Sequence, residues 1–152
     1  MIRIRQAVEA DVRAIADIQL ACPETAQWPV SDYLNQDCWV AEVDNRVAGY
    51  LVCRAVAPHE REILNIAVHP DFRRRGLART LLDAECNRNR ADYFLEVRAS
   101  NEAARGLYSV MGFTEEGLRR GYYENPPESG IVMKRTSCYR HNCQETASGH
   151  RV

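Results

Sequence analysis

An α/β domain built on a mixed, mostly antiparallel sheet is the fold class that this 152-residue sequence predicts. Three observations predict it. Segments of strand-like alternation and of helical periodicity take turns along the chain. In the middle third, short polar turns join consecutive strand-like runs, the pattern of hairpins. Further on, a strand, a helix and a strand follow one another as a βαβ unit does. The length suits one domain with a continuous apolar core, expected over residues 1–134, with 135–152 as a poorly ordered tail.

Taken in order, "IRIRQA" alternates apolar and polar residues and predicts a strand over about Ile2 to Arg5. Val12, Ile15, Ile18 and Cys22 recur at helical spacing, and Pro23 closes that helix. "PETAQWP" reads as a loop, followed by a short helical stretch around Ser31 to Leu34. "CWVAEV" and "RVAGYLVCRAV" flank an Asp-Asn turn as the arms of a hairpin, and "EREILNIAV" extends it to a meander. A helix is expected from Leu77 to about Cys86, then the buried strand "YFLEV". Ala104, Leu107, Tyr108 and Met111 line one face of a next helix, which Gly112 stops. "FTEEGLRRGYY" and "GIVMK" read as two last strands around a Pro/Gly loop. The tail, "RTSCYRHNCQETASGHRV", has no period and few large apolar residues.

Lys and Arg number 20 against 21 Asp and Glu, a formal net charge of −1. Nothing in that balance draws the chain to nucleic acid or to a membrane surface. No apolar run approaches the roughly 18 residues of a membrane span, and the start of the chain lacks the apolar stretch of a secretion signal. The reading is a cytoplasmic protein. Of the six cysteines, Cys22, Cys38, Cys53 and Cys86 lie inside apolar segments, as small buried hydrophobes do in a reducing compartment, and are expected as free thiols.

One feature breaks the even spread of charge. "HPDFRRRGLART", residues 69–80, puts three arginines before a glycine where a helix opens. Amides at a helix start have no acceptor within the helix, and the helix dipole favours an anion there. Gly76 and the small Ala78 allow close approach, and Arg73, Arg74, Arg75 and Arg79 offer guanidinium groups to phosphate oxygens. A basic triplet is also what a solvated turn looks like.

The spacing from Arg73 to Gly76 to Ala78, directly after "NIAVHPDF", resembles the acetyl-CoA motif of the GNAT superfamily of N-acetyltransferases. Two further stretches, "LEVRASNEAARGLYSVMGF" at 95–113 and "RRGYYENP", resemble the bacterial ribosomal-protein alanine N-acetyltransferases of that superfamily, the RimI type. The three blocks fall in family order over about Ile2 to Lys134. The resemblance implies a sheet of about six or seven strands, splayed between the fourth and fifth, with helices on both faces. It also implies acetyl-CoA as co-substrate, bound by residues Arg73, Arg74, Arg75, Gly76, Leu77, Ala78 and Arg79. The backbone of Ile66, Ala67 and Val68, otherwise plain buried strand, would bind the pantetheine arm like an added strand. Asn101 would bond the same arm, and by position it also reads as a helix N-cap.

Acetyl transfer to an amine needs a neutral nucleophile, support for an oxyanion, and a proton for the departing thiolate. A protein α-amine, with a pKa of about 7.7 to 8.0, needs only modest help from a base, whereas a lysine near 10.4 needs far more. Glu96 lies in an apolar strand, where a carboxylate is costly and a raised pKa is expected; the plain alternative is a salt bridge to Arg98. The resemblance makes Glu96 the general base. Tyr108 reads as a core aromatic, and the resemblance makes it the general acid. Trp28, beside Pro29, and the pair Tyr122 and Tyr123 are candidate walls for a peptide end, or else residues that cap the core and line a strand.

The expected acceptor is the N-terminus of a protein, above all the alanine of a ribosomal protein, and attack is expected to be direct, with no metal. Cys138, His141, Cys143 and His150 lack the paired short spacings of zinc sites, and His69 reads as a surface turn residue. Two rival readings are a GNAT enzyme for small amines and a CoA-binding module without catalysis. RNA binding is disfavoured, because no aromatics interleave the basic run.

Overall fold

The structure is a computed structural model and describes residues 1–124 and 127–137. The chain forms two compact units, one of Met1–Arg54 with Glu62–Glu85, the other of Ala55–Arg61 with Cys86 onward.

In the first unit, β1 (Ile2–Gln6) and β2 (Asp37–Val43) run antiparallel, with Ile2 opposite Val43 and Gln6 opposite Trp39. Strand β2 turns into β3 (Arg46–Ala57) through Asp44 and Asn45, both left-handed, at φ 50° and 67°. Two left-handed residues give the turn whose twist matches that of the strands it joins, and Asp and Asn tolerate that region best after glycine. Strand β4 (Glu60–Val68) lies beside β3, giving the order β1-β2-β3-β4. Helix α1 (Val12–Ala21) and a 3-10 stretch at Val30–Asn35 lead into β2, and helix α2 (Leu77–Arg88) starts after β4.

The core of this unit follows from the two periodicities. Ile15, Ile18 and Cys22, three and four apart, pack with Cys38 and Val40 of β2, Tyr50 and Val52 of β3, and Ala67 of β4. Residues two apart on each strand share the face that α1 covers. Gly49 allows a close approach within this unit, since a Cβ there would stand 2.9 Å from the Ala67 carbonyl oxygen and 3.3 Å from Val68 Cγ2. Gly49→Ala is expected to destabilise the protein by about 1–3 kcal/mol, because backbone must shift to admit the methyl group. A lowered urea midpoint checks it.

In the second unit, β5 (Asp92–Arg98) pairs antiparallel with β7 (Glu128–Arg135), which pairs antiparallel with β6 (Thr114–Tyr123), in the order β5-β7-β6. Glu96 stands opposite Val132, which stands opposite Gly117. Helix α3 (Glu102–Val110) joins β5 to β6. Gly112, at φ 93°, donates its amide to the Ser109 carbonyl, the left-handed ending that glycine permits.

The expected elements are present, seven strands and three α-helices among the described residues. Two details differ. Helix α2 continues to Arg88, beyond Cys86, and β7 runs to Arg135, with the Ser137 amide donating to Asp92 Oδ1 at 2.9 Å. The expected tail from 138 on, with Cys138, His141, Cys143 and His150, lies outside the described residues. Cys22, Cys38 and Cys53 are buried free thiols, and Cys86 is half-buried. No helix among the described residues is long and apolar enough to cross a membrane.

Candidate active site

The arginine turn is built in the first unit. After β4, a 3-10 turn at Pro70–Phe72 leads through Arg73 to α2. Arg74 and Gly76 are both left-handed, at φ 65° and 73°. An added Cβ at Gly76 would meet nothing within 4 Å, so the space before the helix is open. Thr80 holds the Gly76 carbonyl through its amide at 2.9 Å and its hydroxyl at 2.8 Å. The first amides of a helix have no acceptor within it, so a turn of this kind, with open space at Gly76 and arginines beside it, can hold a diphosphate.

The arginines are not equivalent. Arg74 and Arg79 are exposed. Arg75 lies over the Phe72 ring at 5.3 Å, and Arg46 also lies over that ring, at 5.2 Å. Arg73 is bound to the chain's own anion, with Nη2 2.8 Å from Glu24 Oε1 and 3.5 Å from Cys22 Sγ. Burial pushes the Cys22 thiol pKa up, so it stays protonated and donates to the Val68 carbonyl at 3.3 Å. Leu77 points into the core, 2 % exposed, and Ala78 is half-buried. On β4, Ala67 is buried while Ile66 and Val68 are half-buried. The Val68 carbonyl, one of the backbone groups expected to meet the pantetheine arm, accepts from the Cys22 thiol.

Trp28, also in the first unit, is 42 % exposed. Its carbonyl accepts from Gln19 Nε2 at 2.7 Å. Thus the ring faces solvent while its backbone is tied to α1.

The remaining candidates lie in the second unit. Glu96 Oε1 accepts from Arg119 Nη1 at 2.6 Å, so its partner is Arg119 on β6 and not Arg98. Arg98 instead reaches Glu128 at 3.5 Å and the Glu124 carbonyl at 3.1 Å. The reason is register. Arg119 stands opposite Gly130, which stands opposite Arg98, two residues along from the Glu96–Val132 pair, so Arg119 reaches diagonally back to β5. The second oxygen of Glu96, Oε2, is buried and has no hydrogen-bond partner among the described residues.

Aromatic rings surround this pair. Arg119 lies 4.3 Å over the Tyr122 ring, and Arg98 4.5 Å over that of Tyr123. Tyr122 and Tyr123 meet edge to face, with centroids 5.0 Å apart. A Cβ at Gly130 would stand 3.3 Å from both rings, so this glycine makes their space. The Tyr123 phenol is pushed up to about 12, chiefly by burial and next by the charge of Glu96. Tyr108, on α3, is 7 % exposed and packs on Phe113 at 5.7 Å. Burial, with a smaller effect of Tyr123, holds its pKa above that of an ordinary phenol. Asn101 caps α3, its Oδ1 accepting from the Ala104 amide at 3.2 Å. That cap uses the side-chain oxygen and not the amide nitrogen.

The sequence alone assigns no role to Arg119, Gly130 or Glu128. Glu128 accepts from the Ser100 hydroxyl at 2.9 Å and amide at 2.8 Å, which with Arg98 keeps its pKa below the usual carboxylate value. Their roles depend on strand pairing, which one strand's own pattern does not carry.

Residues 10–113, which take in the arginine turn, Glu96 and Tyr108, match the acetyltransferase (GNAT) family. The chain belongs to the GNAT family. Over 96 residues it is 44% identical to the [ribosomal protein bS18]-alanine N-acetyltransferase of Salmonella typhimurium, a match that takes in 59% of this chain. It spans 64% of that relative's length. The fold is similar to that of the crystal structure of the ribosomal-protein-S18-alanine N-acetyltransferase from Escherichia coli, with a TM-score of 0.76 and 30% identity, over 89% of this chain and 93% of that one. Similarity to Ard1 from Thermoplasma volcanium gives a TM-score of 0.83 at 25% identity, over 88% of this chain and 96% of that one. The mixed α/β fold is thus the GNAT fold, and the resemblance carried by residues 73–78 and 95–113 is borne out. GNAT acetyltransferases use acetyl-CoA.

Proposed function

We propose that this chain transfers the acetyl group of acetyl-CoA to the N-terminal α-amine of a protein, the alanine of a ribosomal protein. Residues 1–134 form the catalytic domain, working in the cytoplasm on a protein N-terminus. The relatives named for bS18 alanine acetylation support the acceptor. The observation that carries the chemistry is the Glu96 carboxylate. One oxygen rests on Arg119, and the other is buried without a partner among the described residues. An unsatisfied buried acceptor costs about 1–3 kcal/mol, and the N–H of an incoming amine relieves that cost.

Acetyl-CoA supplies an acyl carbon made electrophilic by its thioester. The amides and guanidinium groups of 73–79 hold the diphosphate, and the main chain of Ile66–Val68 with Asn101 holds the pantetheine arm. Glu96 takes the proton of the attacking amine, directly or through water, while Tyr108 donates its phenolic proton to the departing sulfur. Trp28, Tyr122 and Tyr123 wall the acceptor. Attack is direct, so no acyl group rests on the protein.

The test is mass spectrometry of an alanine-starting peptide incubated with the protein and acetyl-CoA, beside a panel of small amines. One acetyl group on the peptide's terminal nitrogen is expected. Turnover of small amines with an unmodified peptide would replace this acceptor, and no turnover with intact CoA binding would leave a binding module.

A further inference from the structure

Inside the first unit lies a group of polar side chains that the chemistry above does not use. Gln19 on α1 is 7 % exposed, Asn65 on β4 is 6 %, Tyr33 is 2 % and Tyr50 is 0 %. The Tyr33 hydroxyl donates to Gln19 Oε1 at 2.5 Å. Asn65 Nδ2 lies 3.0 Å from the Tyr33 hydroxyl and 2.9 Å from that of Tyr50. Buried polar groups of this kind add little stability over an apolar core and serve best where they fix one geometry.

Here the geometry they fix is that of a loop. Between Cys22 and Pro29 the chain has no helix or strand of its own. Two of its carbonyls are held by this group: Trp28 by Gln19 Nε2 at 2.7 Å and Ala26 by Asn65 Nδ2 at 3.0 Å. Gln27 Nε2 adds a local brace, 3.1 Å from the Gln19 carbonyl and 3.2 Å from that of Cys22. Asn65 directly precedes Ile66, so one amide joins the loop to the strand residues assigned to the pantetheine arm.

We propose that Gln19 and Asn65 are positioning residues, which set acceptor affinity by fixing the backbone under Trp28 relative to β4. The inference rests on the reading of the Trp28 loop as an acceptor wall. Gln19→Glu is the informative change. A carboxylate still accepts from Tyr33 but cannot donate to the Trp28 carbonyl. Gln19→Met, which brings no charge into the core, gives the same readouts should the first variant not fold.

Both are made in a Trp39→Phe background, where Trp28 is the remaining tryptophan of two and its fluorescence reports the loop alone. The expected result is greater acrylamide quenching of Trp28 and a peptide KM raised by about three- to tenfold, the range for one lost hydrogen bond. The KM for acetyl-CoA and kcat should stay within about twofold, a split that a general loss of structure would not give. Unchanged quenching overturns the anchoring. Increased quenching with an unchanged peptide KM overturns the link to the acceptor. Trp28→Ala then separates the two failures: if it raises the peptide KM, only this inference falls, and if it does not, the acceptor-wall reading falls with it.

Discussion

Replacing Glu96 with Gln is expected to lower kcat by about 10²- to 10⁴-fold, the usual contribution of a general base, and to leave CoA affinity unchanged. Glutamine keeps the shape of the side chain and an oxygen for Arg119, so the cross-strand contact at 2.6 Å survives. What is lost is the acceptor for a proton. The residual rate should follow the free-amine fraction, rising with pH through the amine's own pKa of about 7.7 to 8.0. Initial rates from pH 6 to 9, with CoA binding by calorimetry, check both parts. An unchanged kcat removes Glu96 from the chemistry and leaves it an ion-pair partner of Arg119.

Tyr108→Phe is expected to lower kcat by about 10²-fold or more, with the fold retained, because phenylalanine keeps the ring contact to Phe113 at 5.7 Å. Burial holds the Tyr108 pKa above the ordinary phenol value. The sign matters: raising the pKa of an acid keeps it protonated, so the donor is loaded throughout the neutral range and no fall of rate should come from its ionisation below pH 9. The same shift makes full transfer harder. A phenol near 10 is already roughly 2 kcal/mol short of protonating a thiolate with a pKa of about 8.5, and burial widens that gap. The proton must therefore move as the C–S bond breaks. An acetyl thioester of a more acidic thiol needs the proton less, so it should narrow the deficit of the variant. An equal deficit with both thioesters would show that the phenol does not protonate the leaving group.

The fold was legible where one element carries its own signal. Ile15, Ile18 and Cys22 gave α1 its face, Asp44 and Asn45 marked a hairpin, and Asn101 with Gly112 bounded α3. The pattern of helix α2 fades near Cys86, because its last residues, Asn87 and Arg88, are polar and carry no period. At the candidate site, the residues at 73–79 were picked out by charge and spacing, and Glu96 and Tyr108 by resemblance to the family. Their partners were not. Arg98 was the expected neighbour of Glu96, being two residues along the strand, yet Arg119 arrives from β6 through a register that depends on both ladders. In the same way Arg73 reads as a phosphate ligand from its motif, while its contact with Glu24 spans 49 residues. The polar group around Gln19 was hidden for a related reason: a Gln, an Asn and two Tyr in apolar runs give no sign of meeting.

Among the described residues β6 lies at the edge of the sheet and pairs with β7 alone, and every residue from Thr114 to Tyr122 is exposed. An open edge of that length is a template on which a foreign strand can add, the first step of aggregation. Glu115, Glu116, Arg119 and Arg120 line it with charges that such addition would have to strip of water. The guanidinium that steadies Glu96 therefore also guards the rim. Redesigning this side for greasier acceptors by removing Arg119 would work against colloidal solubility, whatever it did for selectivity.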